Sequence, residues 1–393
     1  MDTAEKPNVD LNTGAVITED TIVQLREMMA AQNPEWTLAK RQWHYRATRD
    51  TIRHWAWGIG DDNPLWVDNE YGKTTQWGTN LAPPTFLYSA AAGPKHENST
   101  GARRGGKGGP LAGIHAIWAK EEWEWKRHIV RGMQTFCSED KTVDVIPHES
   151  KFGGMIAEVI SENRFFTEDG EHLASKRISF LHFGRKSAAD RGKINDITRQ
   201  VWSDEMLEKL LADLELERVR GATDLRWDDV VVGEDIPHVV KGPLTVSEMI
   251  TFYQGWGGSY RAASEIAHKY IKKHPKVNVP DRVGRFPDFP GRAHMDPQWA
   301  RECGFPDAYD VGSQRASWLA HAVTNWMGDN AMLTNYSIKL TGLNIIGDAT
   351  WVTGRVTGKR EVAGERLIDL ALTATNQRGK VTAVATATVR PPK

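Results

Sequence analysis

The sequence predicts an α+β protein made of two similar halves, each with an antiparallel meander of strands packed on a central helix. Two observations indicate this fold class. The order helix, long loop, helix and strands occurs twice along the 393 residues. The glycine punctuation of residues 132–170 also parallels that of residues 347–379. Because a single sheet around one helix leaves an open face, we expect the halves to join side by side.

The first half opens with helical sequence and then changes to strands. Residues 20–32 and 36–57 have helical character, and residues 63–84 are broken by proline and glycine into loops. A short apolar helix is expected over 85–92, because a proline pair precedes it. Strands are expected over 113–185, with a hairpin turn at Glu168-Asp169-Gly170 between strands 155–166 and 172–183.

A charged segment poor in aromatic residues separates the two halves. Ser203 is a suitable N-cap for a helix over 204–217 within it. We therefore place the first half at 1–186, a linker with one helix at 187–225 and the second half at 226–393.

The second half repeats the order of the first. A helix over 244–253 is followed by a loop rich in glycine, proline and histidine that extends to Asp310, and then by a helix over 313–327. The turn at residues 376–379 precedes the final strand. The strands expected here are 332–340, 349–360, 365–376 and 381–389.

Composition argues against several classes of protein. The formal net charge is -1, which predicts no bulk attraction to nucleic acid or to an anionic membrane. The one strongly basic run, Lys95–Lys107, is glycine-rich and is interpreted as a solvated loop or as a clamp for a phosphate. Cys137 and Cys303 cannot build a disulfide framework, and no long apolar run occurs. We expect a soluble, cytoplasmic protein.

Two related stretches of sequence, one in each half, carry the functional signal. Residues 293–301 read AHMDPQWAR and contain His294, whereas residues 55–68 read WAWGIGDDNPLWVD and carry Trp66 at the equivalent place. A duplication in which one copy alone keeps a titratable imidazole predicts an enzyme that uses one of two equivalent sites.

These residues resemble the MaoC-like hydratase/dehydratase family in its double hot-dog form, with a first half similar to the dehydratase domain of fatty acid synthases. The family signature is Gly-Asp-x-Asn-Pro-[Ile/Leu]-His-x-Asp. The resemblance implies two antiparallel sheets, each wrapped around a central helix and joined side by side. The first half matches the signature through Gly60, Asp61, Asn63, Pro64, Leu65 and Asp68, and the second through His294, Asp296 and Ala300.

The resemblance also implies which residues carry the chemistry. His294 suits a general base, because an unperturbed imidazole has a pKa of about 6.5. The family's acid lies five residues before this histidine, where the chain has Phe289, and Asp288 lies one residue further away. A Pro-Gly pair between Asp288 and His294 could absorb the extra residue, so Asp288 is our candidate acid, with Asp61 or Asp310 as alternatives.

Substrate contacts are expected at the start of the helix that follows His294. Unpaired backbone N–H groups at a helix N-terminus can bind a developing oxyanion, and Val311, Gly312 and Ser313 occupy that position. Asp61 and Asn63 keep the signature without its histidine. They either brace the first-half loop or contribute polar contacts to a shared pocket.

The resulting hypothesis is an acyl-thioester hydratase or dehydratase, which adds or removes water across a 2-enoyl thioester such as an enoyl-CoA. The second half is the catalytic one, and the first helps to shape the acyl pocket. The alternatives are a hot-dog acyl-CoA thioesterase and a non-catalytic acyl-binding subunit. The expected partners are an acyl-CoA substrate and further copies of the chain in a homodimer or larger oligomer. No cofactor is expected, and no set of residues has metal-ligand spacing.

Overall fold

Most strands of the two halves join in one antiparallel sheet. The computed structural model describes residues 15–93, 109–111, 114–150, 154–184, 197–258, 263–273, 278, 280–281, 283–303 and 305–393. The basic run Lys95–Lys107 lies outside these residues. The strands are β1 Leu81–Ala82, β2 His115–Trp125, β3 Ile129–Val130, β4 Thr135–Cys137, β5 Lys141–Ser150, β6 Gly154–Thr167, β7 His172–Phe183, β8 Asp235–Lys241, β9 Met332–Leu340, β10 Thr350–Val362, β11 Glu365–Asn376 and β12 Val381–Arg390.

Within the described residues, nine strands of this sheet follow the order β4-β6-β7-β2-β9-β12-β11-β10-β8, and the tenth, β5, pairs with β6, whereas β1 and β3 form a separate pair. The junction between the halves is the antiparallel pair β2–β9, in register from Lys120 opposite Lys339 to Glu124 opposite Asn335. The two halves therefore share a continuous sheet, as the sequence predicts. The strand and hairpin predictions are confirmed almost residue for residue. The turns could be predicted because Gly170 and Gly379 adopt a positive φ, which favours glycine.

Helices of both halves and of the linker contact strands of this sheet. In the described residues they are α1 Glu19–Ala30, α2 Arg49–Gly58, α3 Pro64–Val67, α4 Asn69–Thr74, α5 Asp204–Glu215, α6 Val246–Trp256, α7 Ser264–Lys273, α8 Pro297–Glu302 and α9 Gly312–Met327. Ser203 caps α5 by accepting a hydrogen bond from the Met206 backbone N–H, as predicted. None of these helices is long and apolar enough to cross a membrane.

Three helix predictions are wrong in detail. The helix expected over 36–57 begins only at Arg49, because Thr48 forms the N-cap and the preceding residues bridge to neighbouring segments in extended conformation. The helix expected over 85–92 is a 3-10 helix at Pro84–Tyr88. The long loop of the second half contains α7 and α8, whose periodicity is hidden among glycines and prolines.

The central helix of the second half, α9, runs through the core. Every side chain from Ser313 to Met327 is buried. This helix packs against strands of the second half and against the 3-10 helix of the first. A helix buried all round is expected to be apolar, yet α9 carries Arg315, His321 and Asn325. Each of these side chains must find a polar partner inside the protein, and their partners define the two centres described next.

Candidate active site

His294 ends a short, braced turn. The 3-10 helix Pro290–His294 leads into α8, whose N-cap Asp296 accepts a hydrogen bond from the Trp299 backbone N–H at 3.0 Å. Arg292 is ion-paired with Asp288 at 3.0 Å on one side and with Asp296 at 3.2 Å on the other. These two ion pairs connect both ends of the turn and restrict the position of the imidazole.

The His294 imidazole forms a hydrogen bond through Nδ1. Its Nδ1 lies 2.9 Å from the Tyr309 carbonyl oxygen, an acceptor, so Nδ1 carries the proton and Nε2 is the basic nitrogen of the neutral ring. Burial lowers the pKa of His294, opposed by the Tyr309 hydrogen bond and the negative charge of Asp310. The imidazole is therefore available as a neutral base.

Helix α9 begins at Gly312, three residues after Tyr309, and its N-terminus has no side-chain cap. Val311 is the N-cap residue, and its carbonyl oxygen accepts from the backbone N–H groups of Gln314 and Arg315. Ser313 Oγ and Gln314 Oε1 are buried and have no hydrogen-bond partner among the described residues. Buried polar groups without partners are rare in folded proteins. Uncapped backbone N–H groups and two unpaired side-chain oxygens thus meet beside the His294 turn.

The two acidic candidates in the second half have cationic partners. Asp288 is partly exposed and pairs with Arg292. Its predicted contact with His294 stays a prediction. Asp310 is buried and holds Arg315, which donates from Nε at 2.7 Å and also binds the Gly342 carbonyl oxygen at 2.7 Å. The structure thus favours Asp310 as the charge that acts on His294.

Asp61, in contrast, belongs to a second buried centre, around His321 of α9. His321 Nε2 lies 3.3 Å from Asp61 Oδ1 and 3.0 Å from Glu217 Oε1. Its Nδ1 lies 2.8 Å from Lys241 Nζ, and the Asn325 amide is 3.0 Å from Nε2. Both imidazole nitrogens are therefore saturated, by groups from the first half, the linker and the second half.

The first-half loop is organised around the same carboxylate. Trp66 Nε1 donates to Asp61 Oδ2 at 3.0 Å, and the Asn63 backbone N–H donates to Oδ1 at 3.1 Å. Asn63 Oδ1 in turn accepts from the Leu65 backbone N–H at 3.0 Å, as the N-cap of α3. In this structure Asp61 and Asn63 brace the loop, and Trp66 occupies the place that the duplication assigns to an imidazole.

Burial and charge act against each other in this centre. Burial raises the pKa of Asp61 and lowers that of Lys241, and each shift is opposed by the charge of neighbouring groups. Burial also favours a higher pKa for Glu217, but the hydrogen bond and charge of His321, with Lys241, hold it at about 2. Glu217 is therefore anionic at neutral pH. His321, Lys241 and Glu217 were not singled out by the sequence, since nothing in their local pattern shows that distant segments converge.

A cavity of about 650 Å³ opens beside this centre. Two of its carboxylates, those of Asp61 and Glu217, belong to the His321 centre, and Asp62 adds a third. Among the residues that the structure describes, no group of three or more histidine, cysteine or acidic residues is arranged to hold a metal ion. The lining consists of Trp57, Gly60, Asp61, Asp62, Pro64, Leu214, Glu217 and Val219.

Comparisons with known proteins agree with this architecture. Residues 36–176 match a family model described as FAS1-like, dehydratase domain region. A solved structure named MaoC-like dehydratase is 17% identical, with a TM-score of 0.60, and the similarity covers 92% of this chain and 99% of the other. A Mycobacterium tuberculosis protein described as having a double hot-dog fold is 10% identical, with a TM-score of 0.51, over 88% of this chain and 92% of that one.

A curated relative matches over a much shorter stretch. A UPF0336 protein of Streptomyces avermitilis is 38% identical over 45 residues, which is 12% of this chain and 30% of that protein. The match thus spans less than a third of the relative's length. The chain has the double hot-dog fold of these structures, as the resemblance in its sequence implied, and residues 36–176 are similar to the FAS1-like dehydratase domain region.

Proposed function

We propose that this chain is an acyl-thioester hydratase or dehydratase whose reaction takes place at His294, with a 2-enoyl-CoA as the unsaturated substrate. The observation that carries the proposal is the His294 imidazole, held through Nδ1 by the Tyr309 carbonyl oxygen, three residues before the uncapped N-terminus of α9 at Gly312. A general base and an oxyanion site next to each other are the two groups that addition of water to an enoyl thioester requires.

In the hydration direction, His294 Nε2 removes a proton from water as the water oxygen bonds to C3 of the enoyl group. The electron pair of the C2–C3 double bond moves towards the thioester carbonyl, whose oxygen gains negative charge. The backbone N–H groups of Gly312 and Ser313 stabilise that charge at the positive end of the helix dipole. Asp310 stabilises the imidazolium. The imidazolium of His294 then transfers this proton to C2, which completes the addition and restores the neutral base, and dehydration follows the same steps in reverse.

Two features of the second centre support the choice of His294. Both nitrogens of His321 are engaged and its side chain is fully buried, so it offers no free base to a substrate. The neighbouring cavity presents the carboxylates of Asp62 and Glu217, which would repel the phosphates of coenzyme A. We therefore assign the second half as catalytic and the first half as a wall of the acyl pocket.

The test is to incubate the purified chain with a 2-enoyl-CoA and, separately, with the saturated acyl-CoA of the same length. Hydration is followed by loss of the enoyl absorbance, and hydrolysis by release of free thiol. We expect hydration of the first and no thiol from the second. Thiol release from the saturated ester would identify a thioesterase, and binding without turnover of either ester would identify an acyl-binding subunit.

The cellular compartment and the oligomeric state of the enzyme are part of the same proposal. Among the described residues Cys137 and Cys303 form no disulfide, which supports a reducing compartment such as the cytoplasm. The resemblance supports a homodimer or larger oligomer and the division into halves at 1–186 and 226–393. Mass measurement of the purified chain in solution tests the assembly.

A further inference from the structure

The N-terminus of α9 is covered by a tryptophan from the other half of the molecule. A methyl group added at Gly312 would lie 3.0 Å from Trp118 Cδ2 and 3.3 Å from its Cε3. The indole of Trp118 thus rests directly on the glycine that we assign to the oxyanion site. Trp118 belongs to β2 and is only partly buried, so part of its ring remains accessible.

A β-bulge turns Trp118 towards this position. In the pairing of β2 with β7, Trp118 lies opposite Phe180, whereas Lys120 lies opposite Ser179, so β2 contains one additional residue between them. Side chains alternate along a regular strand, and the extra residue shifts Trp118 to the face of β2 that carries Glu121 and Trp123.

The carboxylate of Glu121 fixes the Trp118 indole through a hydrogen bond. Trp118 Nε1 donates to Glu121 Oε2 at 3.4 Å, while Tyr88 and Trp123 donate to Oε1. Glu121 is buried, and burial raises its pKa against the charge of Lys176 and these three hydrogen bonds. A buried carboxylate with fixed donors is a rigid anchor, so Trp118 has a defined position.

The junction between the halves ends at the same place. The pairing of β2 with β9 runs from Glu124 to Lys120 and stops there, one residue beyond the bulge. Trp118 therefore stands where the two halves separate and where α9 begins. A thioester carbonyl bound at Gly312 would therefore lie next to this indole.

We propose that Trp118 is the specificity-determining residue of the acyl site, which limits the length of the acyl group, and that Glu121 is the positioning residue that holds it there. This inference rests on the proposed function for the location of the thioester. The ligand class is a fatty acyl-CoA, and the indole makes short acyl groups the preferred ones.

The experiment measures binding rather than turnover. The full-length protein is titrated by calorimetry with saturated acyl-CoAs of short, medium and long chains, and the ratio of long-chain to short-chain affinity is compared between variants. Trp118→Ala is expected to raise this ratio at least about tenfold, because a few methylene groups in an apolar pocket change affinity by that order. Trp118→Phe and Glu121→Gln should raise it by smaller factors, since each loosens the ring without removing all of its volume.

Trp351 is the matched control. Its side chain is also half-buried on a strand and donates from Nε1 to a carboxylate, Asp213 Oδ2, at 2.8 Å. It packs in a separate cluster with Leu210 and Val240. Trp351→Ala and Trp351→Phe should leave the ratio unchanged, which separates an effect of the acyl pocket from a general loss of packing.

The outcomes for binding and for turnover are independent. The inference is overturned if Trp118→Ala keeps the wild-type ratio, if Trp351→Ala raises it equally, or if the wild-type chain binds no acyl-CoA. A wild-type chain that hydrates enoyl-CoA while Trp118→Ala keeps the ratio contradicts this inference alone. A chain whose ratio depends on Trp118 but that hydrates nothing contradicts the proposed reaction alone.

Discussion

The two histidines near α9 have opposite environments. His294 lies on a loop next to the start of the helix and uses one ring nitrogen, for the Tyr309 carbonyl oxygen at 2.9 Å. His321 lies nine residues into the helix, roughly 14 Å further along its axis at about 1.5 Å per residue. Both of its nitrogens are engaged, within a centre that includes Asp61, Glu217 and Lys241.

The contrast between His294 and His321 distinguishes a histidine available for catalysis from one that stabilises the fold. A catalytic base needs a lone pair that can face a substrate, and the proposed function assigns that role to His294 Nε2. His321 instead connects three segments that are distant in sequence, and its partners leave no atom for chemistry. Perturbed pKa values at Asp61, Glu217 and Lys241 would mark the second centre as catalytic if they were considered alone. Because both nitrogens of His321 have hydrogen-bond partners, we interpret the second centre as structural.

The largest expected effect is on turnover at the first centre. His294→Ala should lower kcat for enoyl-CoA hydration by about 10²–10⁴-fold, the usual contribution of general acid–base catalysis, with the fold intact by circular dichroism. His172→Ala is the control, because His172 lies at the start of β7 in the first half, where its side chain forms a hydrogen bond with the nearby Ser175. Near-normal hydration by His294→Ala would remove this residue from the mechanism.

A large loss of stability is expected at the second centre. Lys241→Met removes the buried ammonium that faces Asp61 and Glu217, which leaves uncompensated buried charge, and should cost about 3–5 kcal/mol of unfolding free energy. Chemical denaturation measures the loss. Lys126→Met is the control, because Lys126 is exposed and its pair with Glu124 should matter by less than about 0.5 kcal/mol. Equal stability of the two variants would show that the centre does not join the halves.

The pH dependence of stability tests the role of Glu217. Its folded-state pKa of about 2 lies below the usual 4.5, so its ionisation stabilises the fold above pH 4.5, and this contribution is lost as pH falls towards 2. Glu217→Gln should therefore be less stable than wild type at pH 7, by about 1.5–3 kcal/mol for a charged hydrogen bond. The difference should shrink as pH falls from 4.5 to 2.

Glu215→Gln serves as the control for this titration, because Glu215 is exposed at the end of α5. Its stability relative to wild type should not change over the same pH range. If the Glu217→Gln difference stays constant as pH falls, Glu217 ionises with an ordinary pKa and the electrostatic description of the centre is wrong.

Replacement of Trp66, which occupies the place of His294 in the first half, is expected to have a smaller effect on stability. Trp66→Phe keeps an aromatic ring but removes the N–H that donates to Asp61, so the unfolding free energy should fall by about 1–3 kcal/mol. The value of kcat should remain that of wild type, because the proposed reaction takes place in the second half. A collapse of kcat in a folded Trp66→Phe protein would place the chemistry in the first half.

The smallest effect is expected at Asp288. Because Asp288 pairs with Arg292 at a partly exposed position, Asp288→Asn should lower kcat/KM by less than about tenfold, through a looser His294 turn. Asp235→Asn, which removes an exposed ion pair with Arg355, is the control. A loss of 100-fold or more, with a changed pH profile, would instead make Asp288 the acid partner of His294.

Most of the fold could be predicted from local sequence. The strands from Gly154 to Phe183 and from Met332 to Arg390 follow from alternation and from glycine turns, because these signals act between near neighbours. The helix expected over 36–57 was wrong because residues 36–46 are extended by bridges to other segments, such as Leu38 to Ser138. Tertiary pairing overrides local propensity there.

For the site, the sequence by itself determined the two related motifs, the asymmetry between His294 and Trp66, and the helix that begins at Gly312. These are properties of contiguous residues. Tertiary structure alone decided the partners of the charged groups and the wall of the pocket. It placed Asp61 beside His321 and Trp118 on Gly312. A single sequence carries no signal for such pairs, because their geometry depends on how separate segments pack around a shared core.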